Sequence, residues 1–271
     1  MSEDVHEAQD PERFVGQRMP GAIFENVDLS DASFTDVNLS GAQIRGALLI
    51  GARLRGVVLT DVEISGAYDN LTVNGVEVGP YVQEQLDLRY PDRAMMRPTD
   101  PDGFRAAWAR LEELWEGTVE RAGTLPEEQL HVSVDEEWSF LQTLRHLSFA
   151  TAAWLHRGVL GQRSPWHPLD LPWDGAPPLP GVVVDREAQP SLAEVLALRA
   201  SRVTDVRSYL QSVTDAELER CTSPLGDDGT FPPTGLPVAE CVSVIVNEEW
   251  EHRLYAERDL DALGAAPVTP R

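Results

Sequence analysis

Glu248 and His252 stand four residues apart in the segment VNEEWEHRLYAERDL, on a line of side chains that is otherwise apolar. Counted in steps of three and four, that line runs Val238, Cys241, Ile245, Glu248, His252 and Tyr255, one face of a helix. A carboxylate buried alone costs on the order of several kcal/mol unless it is paired, hydrogen-bonded or bound to a metal. Two ligand-type side chains one helical turn apart can converge on a single ion. The segment LRHLSFA adds His146, set among Thr143, Phe149, Ala150 and Ala153 on a largely uncharged face. His146, Glu248 and His252 together would hold a divalent metal with positions left open for water or substrate. Spacing alone leaves two other readings open: a hydrogen-bonded core histidine, and Glu248 paired with an arginine. Beyond these ligands the sequence identifies no catalytic residue.

The remaining reactive side chains carry blander expectations. His156 lies ten residues after His146, near a helix end, and His167 sits in a loop from which it could reach a metal; both read as structural or exposed. Glu249 and Glu251 flank the apolar line and read as solvated, and Asp259 reads as exposed where the helix frays. Cys221 and Cys241 are the only cysteines, too few for a disulfide framework, and Cys241 falls in the apolar line as an inert buried thiol.

Four helical segments must position these groups. The first is expected over 103–122 with Asp102 as N-cap, and the second over 136–161, with Asp135, Glu136 and Glu137 at its dipole-favoured start. The third has Ser191 as N-cap and Glu194 completing a capping box, and runs to about 210. The fourth opens near Pro237 and closes at Gly264. A Pro- and Trp-rich crossover over 162–189 is too long for a tight hairpin, and such a segment is functional or packed over something. Trp166, His167 and Trp173 are its candidate pocket walls. Four helices with one long crossover suggest a bundle.

Ahead of the helices the chain divides into blocks of five: GAIFE NVDLS DASFT DVNLS GAQIR GALLI GARLR GVVLT DVEIS. The fourth residue runs Phe24, Leu29, Phe34, Leu39, Ile44, Leu49, Leu54, Leu59 and Ile64, and the second is always Ala or Val. A period of five suits neither a helix face nor a strand and points to a solenoid. The blocks resemble the pentapeptide-repeat family. That resemblance implies a right-handed quadrilateral β-helix, with the large residues inside and slightly more than two coils over 21–66. An open end needs a cap, expected over 68–78, where Asn74-Gly75 signals a turn.

The helical part resembles the DinB-like superfamily of metal-binding four-helix bundles, through EEWSFLQTLRHLSFATAAWL and HRLYAERDL. The resemblance implies one ligand from the second helix, matched by His146, and two from the fourth, four residues apart. His252 matches the last; Glu248 stands where the family commonly has histidine, a harder ligand that shifts preference from soft metals. Zinc, nickel, iron or manganese is the implied cofactor. The implied activity is transfer of a low-molecular-weight thiol, of the mycothiol type, to a small electrophile. The alternative is a non-catalytic, metal-stabilised scaffold that binds proteins through the solenoid. The chain is thus read as multidomain, α and β: a polar tail over 1–20, the capped solenoid over 21–80, a linker over 81–101, the DinB-like bundle over 102–265 and a tail over 266–271.

The bulk properties narrow the partners. A net charge of −23 over 271 residues would repel phosphate backbones and anionic membranes. Two coils are also too short to imitate a useful length of DNA duplex. No lysine is present, which excludes a Schiff-base or P-loop lysine. The polar, acidic opening residues lack the pattern of a signal peptide, and the expected location is cytoplasmic. A homodimer is compatible with exposed solenoid faces, without being implied.

Overall fold

The computed structural model describes residues 12–176, 179, 181–226 and 231–265. The tail over 266–271 and most of the tail over 1–20 lie outside them. The chain divides into two compact units, at Ser65 and Gly66.

In the first unit the backbone is left-handed at every fifth residue: Gly16, Gly21, Asn26, Asp31, Asp36, Gly41, Gly46, Gly51, Gly56 and Asp61. This is the first position of each block. Glycine enters that region freely, and Asn and Asp tolerate it better than other residues. Among the described residues the period is already present at Gly16, one block ahead of the first block expected. Alternate blocks close a turn, with the amides of Ala22, Ala32, Ala42 and Ala52 donating to the carbonyls of Met19, Leu29, Leu39 and Leu49. The Asp28 and Asn38 side chains accept from the amides of Ser30 and Ser40.

The turns of a coil are present, but no described residue of this unit belongs to a strand. The fourth residues, expected inside, are exposed, from Leu29 at 47% to Ile64 at 75%. A solenoid coil hides its apolar side only against neighbouring coils, and little more than two coils offer few neighbours.

The second unit opens with a hairpin, β1 (Thr72–Val73) and β2 (Val76–Glu77), turned by Asn74 and Gly75, both at positive φ. The hairpin groups with the second unit, where Gln83 donates to the Tyr68 hydroxyl. Helix α1 (Gly79–Arg89) and a 3₁₀ segment (Pro91–Met96) occupy much of the stretch read as linker. Asp87 ties the two together by accepting from Arg93 and Arg97.

Helix α2 (Pro101–Ala122) starts earlier than expected, because Asp100 rather than Asp102 is its N-cap and accepts from the Gly103 amide. Pro101, which lacks an N–H, suits the first turn. Helix α3 (Phe140–Thr151) starts later than expected, at a capping box formed by Ser139 and Gln142. Asp135 and Glu136 are left-handed, so the acidic run lies in the preceding turn and outside the helix. α3 continues as a π-helical segment, Ala152–Val159, and stops before Gly161, whose φ is 71°. Helix α4 (Leu192–Ser212) carries the expected capping box of Ser191 and Glu194. The short α5 (Asp215–Glu219) leads to α6 (Val238–Ala262), which ends just before Gly264.

Helices α2, α6, α3 and α4 pack in a ring, each against the next. Their inward faces form two apolar clusters. One contains Phe104, Leu111, Val206, Leu210, Ile245 and Trp250. The other contains Phe140, Leu144, Leu147, Val195, Ala256 and Leu260. Residues between the clusters include Arg199 along α4 and His252 along α6, and the candidate site lies at this level. Among the described residues no helix is long and apolar enough to cross a membrane.

Candidate metal centre

His146 comes from α3 and Glu248 and His252 from the adjacent α6. One ligand atom of each lies within 4.8 Å of the others. Glu248 Oε2 is 3.3 Å from His146 Nε2 and 3.1 Å from His252 Nε2. Ligand atoms roughly 2.0–2.2 Å from a tetrahedral ion stand roughly 3.3–3.6 Å apart, so the first separation matches an edge of such a polyhedron and the second is slightly shorter. Lone pairs this close repel unless a proton or a cation lies among them.

The sequence motif does not reveal what orients these ligands. His146 Nδ1 lies 2.9 Å from the carbonyl oxygen of Leu171, in the crossover. A carbonyl can only accept, so the contact assigns a proton to Nδ1 and turns Nε2 toward Glu248. Burial pushes the Glu248 carboxyl up, but hydrogen bonds from His146 and His252, with their charge, bring it down to about 2. It is ionised at neutral pH, as a ligand must be.

Arginines hold the crossover in place. Arg145, fully buried, donates to the carbonyls of Leu169, Asp185 and Ala188. Burial lowers its pKa, and the three carbonyls keep its donors satisfied. Arg202 donates to the Pro165 carbonyl and sits 3.6 Å from the buried Asp170, whose pKa burial raises. The only signal of Arg145's role in the sequence is its position, a lone charge beside His146 in an otherwise uncharged run.

Aromatic rings surround the triad. Trp138 lies 4.5 Å from His146 and 5.8 Å from His252, centroid to centroid, Phe149 is 6.1 Å from His146, and Tyr255 is 6.0 Å from His252. Trp166 and Trp173 pack on Phe149 at 5.6 and 6.2 Å, extending this wall by one ring. His167 is not part of it. Its Nδ1 accepts from the Leu169 amide, and its own amide donates to Asp170.

Two other expectations are corrected. Glu249 is only 2% exposed and makes a two-pronged pair with Arg199, at 2.9 and 2.6 Å. Arg199 also lies 4.6 Å over the Trp115 ring. Asp259 is buried beside Arg258, and burial raises its pKa. His156 is structural, one of the two readings expected of it: it is buried between Arg202 and Asp205 and outside the triad, and burial together with the Arg202 charge lowers its pKa. Cys241 is buried as expected, its thiol pushed up to about 11.

Comparison with known families adds two matches. Residues 110–256 match the DinB superfamily, a span that includes all three ligand candidates. Residues 13–68 match pentapeptide repeats in eight copies. Among curated proteins none matches the chain.

Proposed function

Because the chain belongs to the DinB superfamily and also carries pentapeptide repeats, we propose that its helical unit binds a divalent metal through His146, Glu248 and His252. That centre presents a low-molecular-weight thiol, of the mycothiol type, to a small electrophile. The convergence of three ligand atoms, one of them oriented by the Leu171 carbonyl, carries the reading. Among the described residues this group has three members and not four, the donor count of a site that keeps a position open.

Zinc, nickel, iron and manganese all accept such a donor set. When bound, the ion supplies the charge that holds a thiol as thiolate at neutral pH. The chain's own residues do the rest. Glu248 brings one negative charge to the centre, Leu171 and Arg145 keep His146 in one tautomer and place, and the rings of Trp138 and Phe149 limit water. No protein thiol is needed as nucleophile, in keeping with the inert Cys241. Two cysteines without a disulfide suit a reducing cytoplasm.

Metal analysis of the purified chain beside His252→Ala tests the centre. Near-stoichiometric metal that vanishes in the variant supports it, and a wild type that takes up none after reconstitution sinks it. Turnover of monobromobimane with a panel of thiols then tests the transferase step. The exposed apolar residues of the repeat unit favour a second reading, in which the metal is structural and the repeats, as the β-helix their family implies, dock a protein. A cobalt-substituted centre whose visible spectrum is indifferent to added thiol would favour that second reading.

A further inference from the structure

Trp138 has no role in the ligand set, yet it touches both histidines. Its indole is nearly parallel to His252, at 15° and 5.8 Å, and tilted by 45° over His146 at 4.5 Å. The other rings against the triad are fixed in helices: Phe149 is buried in α3, and Tyr255 is carried on α6. Among these ring contacts Trp138 alone comes from a turn, the segment between the 3₁₀ helix Glu127–His131 and α3. That turn places two consecutive non-glycine residues, Asp135 at φ 52° and Glu136 at φ 60°, in the left-handed region, a costly conformation that its surroundings must enforce. The Glu137 amide bonded to the Val134 carbonyl, and Ser133 bonded to the Glu137 carbonyl, close it.

One further contact reaches the crossover. Trp138 Nε1 donates to Asp174 Oδ2 at 3.1 Å, and Asp174 accepts from Arg186, which also donates to the Trp173 carbonyl. An exposed hydrogen bond therefore latches the turn to the crossover beside the triad. A ring that must stay put as core would be buried like Phe149. Trp138 is half-buried and held by a bond that water can replace.

We propose that Trp138 is a movable screen over the ligand triad, latched by Asp174 and displaced when a ligand reaches the centre. The inference rests on the metal-binding reading for its purpose, and on ring and hydrogen-bond geometry for its existence. Trp138 is a positioning residue: it controls access and contributes no ligand atom.

Two measurements on the full chain test it. In metal-free protein, diethyl pyrocarbonate labels exposed imidazoles, and peptide mass spectrometry reads His146 and His252 separately. Trp138→Ala should be labelled at both sites roughly tenfold faster than wild type. Asp174→Ala and Trp138→Phe, each of which removes the latch while leaving an aromatic ring at position 138, should each accelerate labelling by roughly fivefold, the scale of one net hydrogen bond, and their combination should be no faster than either alone. In zinc-loaded protein, loss of zinc to 4-(2-pyridylazo)resorcinol should accelerate in the same order while zinc stoichiometry stays unchanged. Equal labelling rates in wild type, Trp138→Ala and Asp174→Ala would overturn the screen, whatever the metal does. Accelerated labelling in a chain that takes up no zinc would keep the screen and remove the metal reading, so the two failures are distinguishable.

Discussion

The repeat unit and the helical unit are both strictly periodic in sequence, yet only one of them buries its apolar residues. In the repeat unit every fifth residue takes up the left-handed conformation, while Phe34, Ile44 and Ile64 stay more than half exposed. In the helical unit the line from Val238 through Cys241 to Ile245 is almost wholly buried against α2 and α3. Periodicity sets backbone conformation locally; burial requires a second surface. The helices supply that surface to one another, and two short coils supply little.

Substitutions should separate the units by size of effect. The largest loss is expected for Glu249→Ala, which leaves the Arg199 guanidinium buried without its carboxylate, at about 3–5 kcal/mol by urea unfolding. A combined Arg199→Met, Glu249→Leu variant should restore most of that loss, and failure to do so would show that the pair specifies the packing of α4 against α6. Next, a metal held by the triad should raise the unfolding free energy by about 2.7 kcal/mol at a hundredfold excess over its Kd. Calorimetry should show this shift in the helical transition only; a shift in both transitions would break the comparison. Ser191→Ala, which removes the α4 cap, should cost about 1 kcal/mol.

Phe34→Ala should cost less than about 1 kcal/mol, since its ring is already mostly in water. A loss of about 3 kcal/mol would show that the repeats close into a buried coil in solution.

The smallest effect is one of pH. Burial raises the Asp170 carboxyl above its ordinary range, so the folded chain holds that proton more tightly than the unfolded chain. Stability from this group is present at low pH and falls as pH rises through the raised value. Asp170→Asn should therefore flatten the decline just above the ordinary carboxylate range, seen by unfolding between about pH 4 and 7.

The three candidate ligands could be picked out one by one because helical phase is a short-range property, whereas their convergence could not. Glu248 and His252 share a face by their spacing of four, and His146 stood out as a polar break in an uncharged run. Glu249 was misread for the opposite reason. Its partner Arg199 lies on α4, fifty residues away, and no local pattern announces it. The N-caps show the same limit at small scale. Asp100 and Asp102 both flank Pro101, and only the path of the chain decided that Asp100 accepts from the Gly103 amide.

By itself the sequence determined the five-residue backbone period, the helical segments, the Ser191 capping box and the face on which each candidate ligand lies. All of these depend on residues within a turn or two of one another. Tertiary structure alone decided that α3 and α6 are neighbours, that Leu171 orients His146, that Arg145 holds the crossover and that Trp138 covers the triad. Those contacts join segments from 8 to more than 100 residues apart, where the partner is set by packing of the bundle and by burial of arginines that must find acceptors, and neither leaves a periodic mark on the chain.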